Sequence, residues 1–305
     1  MRKKLFVLTL ILIGCAAVFG QPKTDLQRLV ETEIAFAAAA EARGTKSAFL
    51  GFLADDGVVF RPEVRNGRDF WRSQPESAAL LSWRPVWADI SSDGRLGYTT
   101  GPWEYRPKGK NDQPAAFGQY VTIWKKQADG VFKAVLDIGI SHENPTAAGA
   151  KTEKSPLASA EKWKSPADAG QGDKTVKEQV LLDRLGSIFS QRVMSKKLLG
   201  HLADDAVVLR EGQTPYVGKA QVAANAEKID RDFPPDGFLN FEGTATPSQG
   251  NLTYAYGVYK LTHKDKSVSR WNFLQIWKYR GGRWQVALDL FMPIPPAPPA
   301  SAPKN

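Results

Sequence analysis

The sequence predicts an α+β fold that occurs twice along a chain of 305 residues. The first observation is an internal repeat, because FLADDGVVFRPE at residues 52–63 nearly recurs as HLADDAVVLREG at residues 201–212. The second observation is that each half begins with apolar residues at helical spacing and continues with strand-like segments. Helices followed by an antiparallel sheet in each half are typical of an α+β fold.

The repeat continues through both halves with small gaps. The segment DGRLGYTTGPW at residues 93–103 corresponds to QGNLTYAYGVY at residues 249–259. The segment TIWKKQADGVFKAVLDI at residues 122–138 corresponds to QIWKYRGGRWQVALDL at residues 275–290. A correspondence of this extent indicates a duplication.

Each half begins with a predicted capped helix. Thr24 and Gln27, like Thr175 and Glu178, have the spacing of a capping box, in which two side chains satisfy free backbone N–H groups at the start of a helix. Apolar residues then recur at helical spacing in both halves: Leu26, Leu29, Val30 and Ile34, and Val180, Leu181, Leu185 and Ile188. A shorter helical stretch, AFLGFLA or KLLGHLA, precedes an apolar strand, and we expect a third helix after Gly67 and Gly218.

Strands are predicted for the rest of each half. They are WRPVWADI, LGYTTGPWEY and QYVTIWK in the first half, and NLTYAYGVYKL, WNFLQIWKY and RWQVALDLF in the second. The turn dipeptides Asp93-Gly94, Asp129-Gly130 and Gly281-Gly282 are typical of hairpins. VTIW and FLQIW are apolar on both sides, so we expect one face of each sheet to line its own domain and the other to meet the sister domain.

The N-terminus predicts export. Residues 1–20 begin with Arg2-Lys3-Lys4 and continue with LFVLTLILIG, an apolar run too short to span a membrane and typical of a signal peptide. Two processing schemes remain open: ordinary cleavage before Gln21, or a lipobox that makes Cys15 the acylated residue of a lipoprotein. We therefore expect a periplasmic or secreted protein, whose only membrane contact would be a lipid anchor at Cys15.

Composition shifts divide the chain further. We predict a first domain at residues 22–142, a linker rich in Pro, Ala and Lys at residues 143–174, a second domain at residues 175–293, and a proline-rich tail at residues 294–305. Trp163 is the only aromatic residue of the linker and is a candidate for docking it onto a domain.

Charge and cysteine content exclude several classes of function. Cys15 is the only cysteine, so a processed chain has no intrachain disulfide, no cysteine metal site and no thiol nucleophile. The net charge of +9 is spread without a basic run, so we expect no nucleic-acid partner. His142, His201 and His263 lack the spacing of metal ligands, and we predict neither a metal nor a cofactor.

The order of these motifs resembles the nuclear transport factor 2-like superfamily. The resemblance covers about residues 24–140 and 175–291 and rests on L-A-D-D, on the G-(R/K) pair before a helix, on Gly-Tyr-x-x-Gly and on I-W-K. This superfamily includes SnoaL-like polyketide cyclases, ketosteroid isomerases and many exported domains of unknown function. The resemblance implies two cone-shaped domains, each with about three helices packed on a strongly curved antiparallel sheet that encloses a pocket.

The resemblance to ketosteroid isomerases does not extend to their catalytic residues. Arg61 and Arg210 occupy the position of the general-base aspartate, and a guanidinium stays charged and cannot abstract a proton. Phe36 lies near the position of the oxyanion-donating tyrosine, and residues 120–123 and 273–276, where a protonated aspartate would fall, contain no carboxylate. We therefore expect no steroid isomerisation in either copy.

Two roles remain open for the repeated arginines. Each follows an apolar strand, on the side of Val59 or Val208, and would form an internal salt bridge or anchor a carboxylate or phosphate ligand in the cavity. The nearby acidic candidates for a salt bridge are Asp55, Asp56, Glu63, Asp204, Asp205 and Glu211. Asp137 and Asp289, inside predicted strands, need a partner that Arg61 and Arg210 would supply, and otherwise each is a candidate general base.

Aromatic side chains are the remaining candidates for a binding site. Such residues form the core or line a pocket for a flat apolar ligand. The candidates are Trp83 and Trp87, which are expected on one side of a strand, together with Trp103, Tyr120, Tyr256 and Tyr259.

Two functions are consistent with this sequence. We favour a noncatalytic exported protein whose two domains pack through their sheets as a pseudo-dimer and bind a small amphipathic or anionic molecule or a protein partner. The alternative is a SnoaL-like cyclase, dehydratase or isomerase with Asp137 or Asp289 as general base. An unpaired carboxylate in an open cavity would favour the enzyme, whereas a carboxylate held by arginine would favour binding or structure.

Overall fold

A computed structural model of the chain describes residues 23–144, 180–181, 183, 194–231, 238–246 and 248–296. The predicted signal peptide, the linker with Trp163, the Thr175 cap and most of the proline-rich tail lie outside these residues. Within the described ranges, no helix is both long enough and apolar enough to cross a membrane.

The first domain combines three helices with a seven-stranded sheet. The helices are α1 (Asp25–Arg43), α2 (Thr45–Phe52) and α3 (Gly67–Ser73). The strands are β1 (Leu53–Phe60), β2 (Val64–Asn66), β3 (Leu80–Trp83), β4 (Trp87–Ile90), β5 (Leu96–Arg106), β6 (Ala116–Lys126) and β7 (Phe132–His142). Their order is β2-β1-β7-β6-β5-β3, with β4 also paired to β5.

The second domain repeats this plan. Its described helices are α4 (Met194–Leu199), α5 (Lys219–Ala224) and α6 (Ala226–Ile229). Its strands are β8 (Leu202–Arg210), β9 (Tyr216–Val217), β10 (Phe238–Ala245), β11 (Leu252–Thr262), β12 (Val268–Arg280) and β13 (Arg283–Pro293), in the order β10-β11-β12-β13-β8-β9. The predicted α+β fold with two cone-shaped domains is thereby confirmed.

Three local predictions need correction. The short helix ends at Phe52, so the Asp-Asp pair of each repeat belongs to β1 or β8 rather than to the helix end. Strand β1 pairs in parallel with β7, and β8 pairs in parallel with β13, so the sheets are mixed and not wholly antiparallel. The segment WRPVWADI forms two strands, because Pro85 has no N–H to donate and interrupts the pairing with β5.

Helix α1 has the predicted capping box, in which Thr24 and Gln27 satisfy each other's backbone N–H groups. Its buried side differs from the prediction by one position. Ile34 is exposed, whereas Glu33 is fully buried against the sheet. A carboxyl group therefore occupies a core position of the first domain.

The two sheets pack against each other through their outer faces. A shared apolar cluster joins residues of the first sheet, such as Val121 and Ile138, to residues of the second, such as Leu274 and Leu288. Asp89 is buried at this contact, 2.8 Å from Lys278 Nζ and 2.8 Å from Arg280 Nη2. Each sheet thus has one face toward its own helices and the other toward the second sheet.

Candidate functional site

A cavity of about 1100 Å³ lies between the helices and the sheet of the first domain. Its apolar wall includes the aromatic side chains Phe49, Trp71, Trp83, Trp103 and Tyr120. Phe49 and Trp71 stack with ring centroids 4.6 Å apart. Arg61 and Asp137 line the same cavity. Apolar walls with a few convergent polar groups are typical of small-molecule sites.

Arg61 and Asp137 reach the cavity because of the register between β1 and β7. Val59 pairs with Asp137, and Arg61 lies two residues further along, so their side chains are on the same face. The Arg61 guanidinium is half-buried and donates through Nη1 to the Phe60 carbonyl at 2.7 Å. Within the described part of the chain, Arg61 forms no ion pair with a carboxylate. The predicted bridges to Asp55, Asp56 and Glu63 are therefore not formed.

Asp137 is a buried carboxyl with one hydrogen-bond donor beside it. Its Oδ2 accepts from Thr122 Oγ1 at 2.9 Å. Burial raises the pKa of Asp137 to about 6, although the Arg61 charge and the Thr122 hydrogen bond lower it. This carboxyl can therefore exchange a proton near neutral pH.

The corresponding residues of the second domain, Arg210 and Asp289, form a buried ion pair. Arg210 Nη2 lies 2.6 Å from Asp289 Oδ2, and Gln275 Nε2 donates to Asp289 Oδ1 at 2.6 Å. Both members of the ion pair are fully buried, and the guanidinium lies over the Phe291 ring at 4.9 Å. Arg210 therefore pairs with the strand carboxylate and not with Asp204, Asp205 or Glu211.

Two glycines of the first domain stand where the second domain has buried aromatic residues. By strand register, Gly118 and Gly139 on β6 and β7 correspond to Trp271 and Phe291 on β12 and β13. A Cβ at Gly139 would lie 2.9 Å from the Gln119 carbonyl and 3.3 Å from Trp103 Nε1. Trp103 packs over these glycines in the first domain, whereas Trp271 and Phe291 belong to the buried apolar core of the second domain, together with Tyr259 and Phe273. The two copies thus differ in the side chains around the repeated Arg and Asp pair.

Glu33 forms a buried polar cluster behind the cavity wall. Its carboxyl accepts from Trp83 Nε1 at 2.5 Å, from Thr99 Oγ1 at 2.5 Å and from Trp124 Nε1 at 3.1 Å. Burial raises the pKa of Glu33 to about 7, and the Asp137 charge adds to this rise. The sequence analysis missed Glu33, although its spacing from Leu26, Leu29 and Val30 marks a position on the apolar face of α1.

The Tyr120 hydroxyl lies beside Glu33 and Thr99 at the cavity wall. It is buried, and none of its contacts with the described residues has the geometry of a hydrogen bond. Burial and the neighbouring charges of Glu33 and Asp137 raise the pKa of Tyr120 well above its usual value. The hydroxyl therefore stays protonated, and it can donate to an acceptor in the cavity.

The other residues considered for a site lie outside the cavity of the first domain. Trp87 packs at the contact between the sheets and donates through Nε1 to Tyr98 Oη at 3.2 Å. Tyr256 lies at the same contact, with its ring 6.1 Å from that of Phe60. Trp83 lines the cavity whereas Trp87 packs between the sheets, so the expected shared face is wrong. His201 packs against Trp277, and the described residues contain no group of acidic, histidine or cysteine side chains suited to a metal ion.

Comparisons with known proteins give structural matches only. No protein-family model and no curated protein matches the chain. An NTF2-like protein of unknown function from Pseudomonas putida is 21% identical, with a TM-score of 0.31, and the match covers 37% of this chain and 81% of that one. A ketosteroid isomerase-like protein from Erwinia carotovora atroseptica is 17% identical, with a TM-score of 0.31, and the match covers 39% of this chain and 93% of that one.

A third structure, a protein of unknown function with a cystatin-like fold from Nostoc punctiforme, is 11% identical, with a TM-score of 0.34. That match covers 39% of this chain and 93% of the other. The solved structures to which this chain is similar thus include NTF2-like and ketosteroid isomerase-like proteins, and the likeness concerns the fold alone.

Proposed function

We propose that the first domain binds a small amphipathic anion in its cavity. The anionic group lies on Arg61, and the apolar body packs against Trp83 and Trp103. One contrast supports this: Arg61 lines a cavity and makes no ion pair with any described residue, whereas Arg210 is neutralised by Asp289. A partly desolvated cation needs a partner, and a bound carboxylate would supply two charge-assisted hydrogen bonds.

In this proposal the second domain has a structural role. Its arginine and aspartate satisfy each other, and the Phe291 ring packs on the guanidinium. Export through the N-terminal segment stays a prediction, since residues 1–22 lie outside the described part of the chain.

Two fluorescent probes test this proposal, because they differ mainly in one charge. They are 8-anilino-1-naphthalenesulfonate and its uncharged analogue N-phenyl-1-naphthylamine. Replacing Arg61 by Gln is expected to weaken sulfonate binding about 10-fold and to leave the neutral probe nearly unchanged, since a charge-assisted bond contributes about 1.5–3 kcal/mol. Fluorescence titration measures both affinities.

The same titration has one control variant and one expected dependence on pH. The change Arg72→Gln on the exposed side of α3 removes a cation outside the cavity and is expected to alter neither affinity. Sulfonate binding to the wild-type protein is expected to tighten as the pH falls through about 6, because a protonated Asp137 no longer repels the anion. Equal weakening of both probes by Arg61→Gln, or no binding of the sulfonate, would contradict the proposal.

A second candidate function is proton transfer at carbon. Asp137 has a pKa near 6 in the cavity, and the protonated Tyr120 hydroxyl belongs to the same wall. In such a reaction the Asp137 carboxylate takes a proton from the carbon next to a ketone, and the Tyr120 O–H stabilises the enolate oxygen. The proton then returns from Asp137 to carbon. This candidate includes SnoaL-like isomerases and cyclases but uses only the first domain.

Deuterium incorporation tests this second candidate. β-Tetralone, an apolar bicyclic ketone, is incubated with the protein in D2O, and mass spectrometry measures exchange at its α-carbon. The candidate predicts exchange above the buffer rate that falls about 100-fold in Asp137→Asn, the usual scale for loss of a general base. The control Asp289→Asn changes the buried counterpart and is expected to keep the exchange rate in protein that remains folded. Exchange that persists in Asp137→Asn would rule out Asp137 as the base.

A further inference from the structure

We infer that the second domain contributes to the first domain's binding site and that Asn272 is a positioning residue for Arg61. This inference rests on the proposed function and adds a role for the second copy. Residues of the second domain hold the turn that follows Arg61 and also form part of the cavity rim.

The turn after Arg61 is held by two side chains of β12. Asn272 Nδ2 donates to the Pro62 carbonyl at 2.6 Å, and Asn272 is fully buried. Arg270 Nη1 lies 2.6 Å from Glu63 Oε1. Inside the turn, the Arg61 N–H donates to the Glu63 carbonyl at 2.9 Å. The backbone on the far side of Arg61 is therefore fixed by contacts from the second domain in addition to the hydrogen bond inside the turn.

Fixing this turn matters because Arg61 itself has few restraints. Its guanidinium donates to the Phe60 carbonyl, and β1 ends at that residue. Arg210, in contrast, lies within β8 and is held by Asp289. An arginine that must meet a ligand with two parallel hydrogen bonds needs a fixed orientation, because binding otherwise has to order it.

The cavity rim supports the same inference. Met292, Pro293 and Pro295 of the second domain line the cavity, and so does Glu211. Glu211 Oε2 accepts from the Ser141 N–H at 3.0 Å, and the Gly212 N–H donates to the Ser141 carbonyl at 2.8 Å. The end of β7, which forms part of the cavity wall, is thus joined to the turn after Arg210. The opening therefore takes its shape from both copies.

The change Asn272→Ala tests the positioning role in the full chain. Loss of the bond to Pro62 is expected to weaken sulfonate binding about 5-fold, on the scale of one hydrogen bond between neutral groups, and to leave the neutral probe within about 2-fold. The matched control is Asn251→Ala, which removes another bond between the domains, from the Ser92 N–H to Asn251 Oδ1 at 2.9 Å. This control is expected to change neither affinity.

Hydrogen exchange provides a readout that needs no ligand. The peptide covering residues 60–66 is expected to exchange faster in Asn272→Ala than in the wild type or in Asn251→Ala. Unchanged exchange, or faster exchange with sulfonate affinity unchanged, would overturn the positioning role. Failure of Arg61→Gln to affect sulfonate binding would instead overturn the proposed function, so the two failures are distinguishable.

Discussion

Replacing Asp289 by Ala is expected to lower the free energy of unfolding by about 3–5 kcal/mol, the usual cost of leaving a buried charge without its partner. The change removes the carboxylate that lies 2.6 Å from Arg210 Nη2 and leaves a fully buried guanidinium. The same change at Asp137 is expected to alter the free energy by about 1 kcal/mol or less, because it removes one hydrogen bond but also a desolvated carboxyl.

Urea unfolding of the two variants at neutral pH measures this difference. In Asp289→Ala, the further change Arg210→Met is expected to recover part of the lost stability, since it removes the uncompensated charge and keeps an unbranched apolar side chain. Equal losses for Asp289→Ala and Asp137→Ala would show that the two pairs have the same environment. That result would contradict the contrast between Asp137, which lines a cavity, and Asp289, which is held in a buried ion pair.

The repeated Arg and Asp positions could be predicted from the sequence, but which of the two pairs forms an ion pair could not. Both copies have an arginine after an apolar strand and an aspartate in the last strand, so the pattern alone predicts the same arrangement twice. One difference beside these pairs is Gly139 in the first copy, under Trp103, and Phe291 in the second, on the Arg210 guanidinium. These residues carry no chemistry themselves. Their effect depends on strand register and on the volume inside each cone, and local periodicity reports neither.

The fold itself was more accessible to sequence reasoning, because helix caps, hairpin turns and apolar alternation are local signals. The parallel pairing of β1 with β7 was missed, since it joins the beginning of the domain to its end. Trp87 and Tyr256 were assigned to a pocket but lie between the sheets. An aromatic residue in a strand that is apolar on both faces does not reveal which face it occupies.

Glu33 is the functional-site residue that sequence reasoning lacked. A glutamate in an amphipathic helix is usually solvent-exposed. Its burial here depends on donors from three separate strands: Trp83 on β3, Thr99 on β5 and Trp124 on β6. No local pattern connects these residues with α1. Burial raises the pKa of Glu33 more than these donors lower it, and the resulting pH dependence is the second large effect.

Replacing Glu33 by Gln is expected to remove a pH dependence of stability that the wild type shows between pH 4.5 and about 7. The pKa of Glu33 is raised from 4.5 to about 7 by burial, so in this window the folded state holds a proton that the unfolded state has released. Its contribution is therefore complete below pH 4.5 and is lost as the pH rises to about 7. The difference in pKa corresponds to about 3 kcal/mol.

Gln resembles a protonated carboxyl in size and keeps an oxygen that can accept from an indole N–H. Glu33→Gln is therefore expected to match the wild type at pH 4.5 and to exceed its free energy of unfolding by about 3 kcal/mol above pH 7. Asp137 also has a raised pKa, so its contribution to the free energy of unfolding changes with pH in the same direction. Subtracting the wild-type free energy from that of Glu33→Gln at each pH removes the contributions of Asp137 and the other titrating groups. The matched control is Glu31→Gln on the same helix, whose carboxylate pairs with Lys23 at the surface. If the free energies of unfolding of Glu33→Gln and the wild type changed with pH in parallel, Glu33 would be ionised in the folded protein. The buried polar cluster behind the cavity wall would then carry a full negative charge.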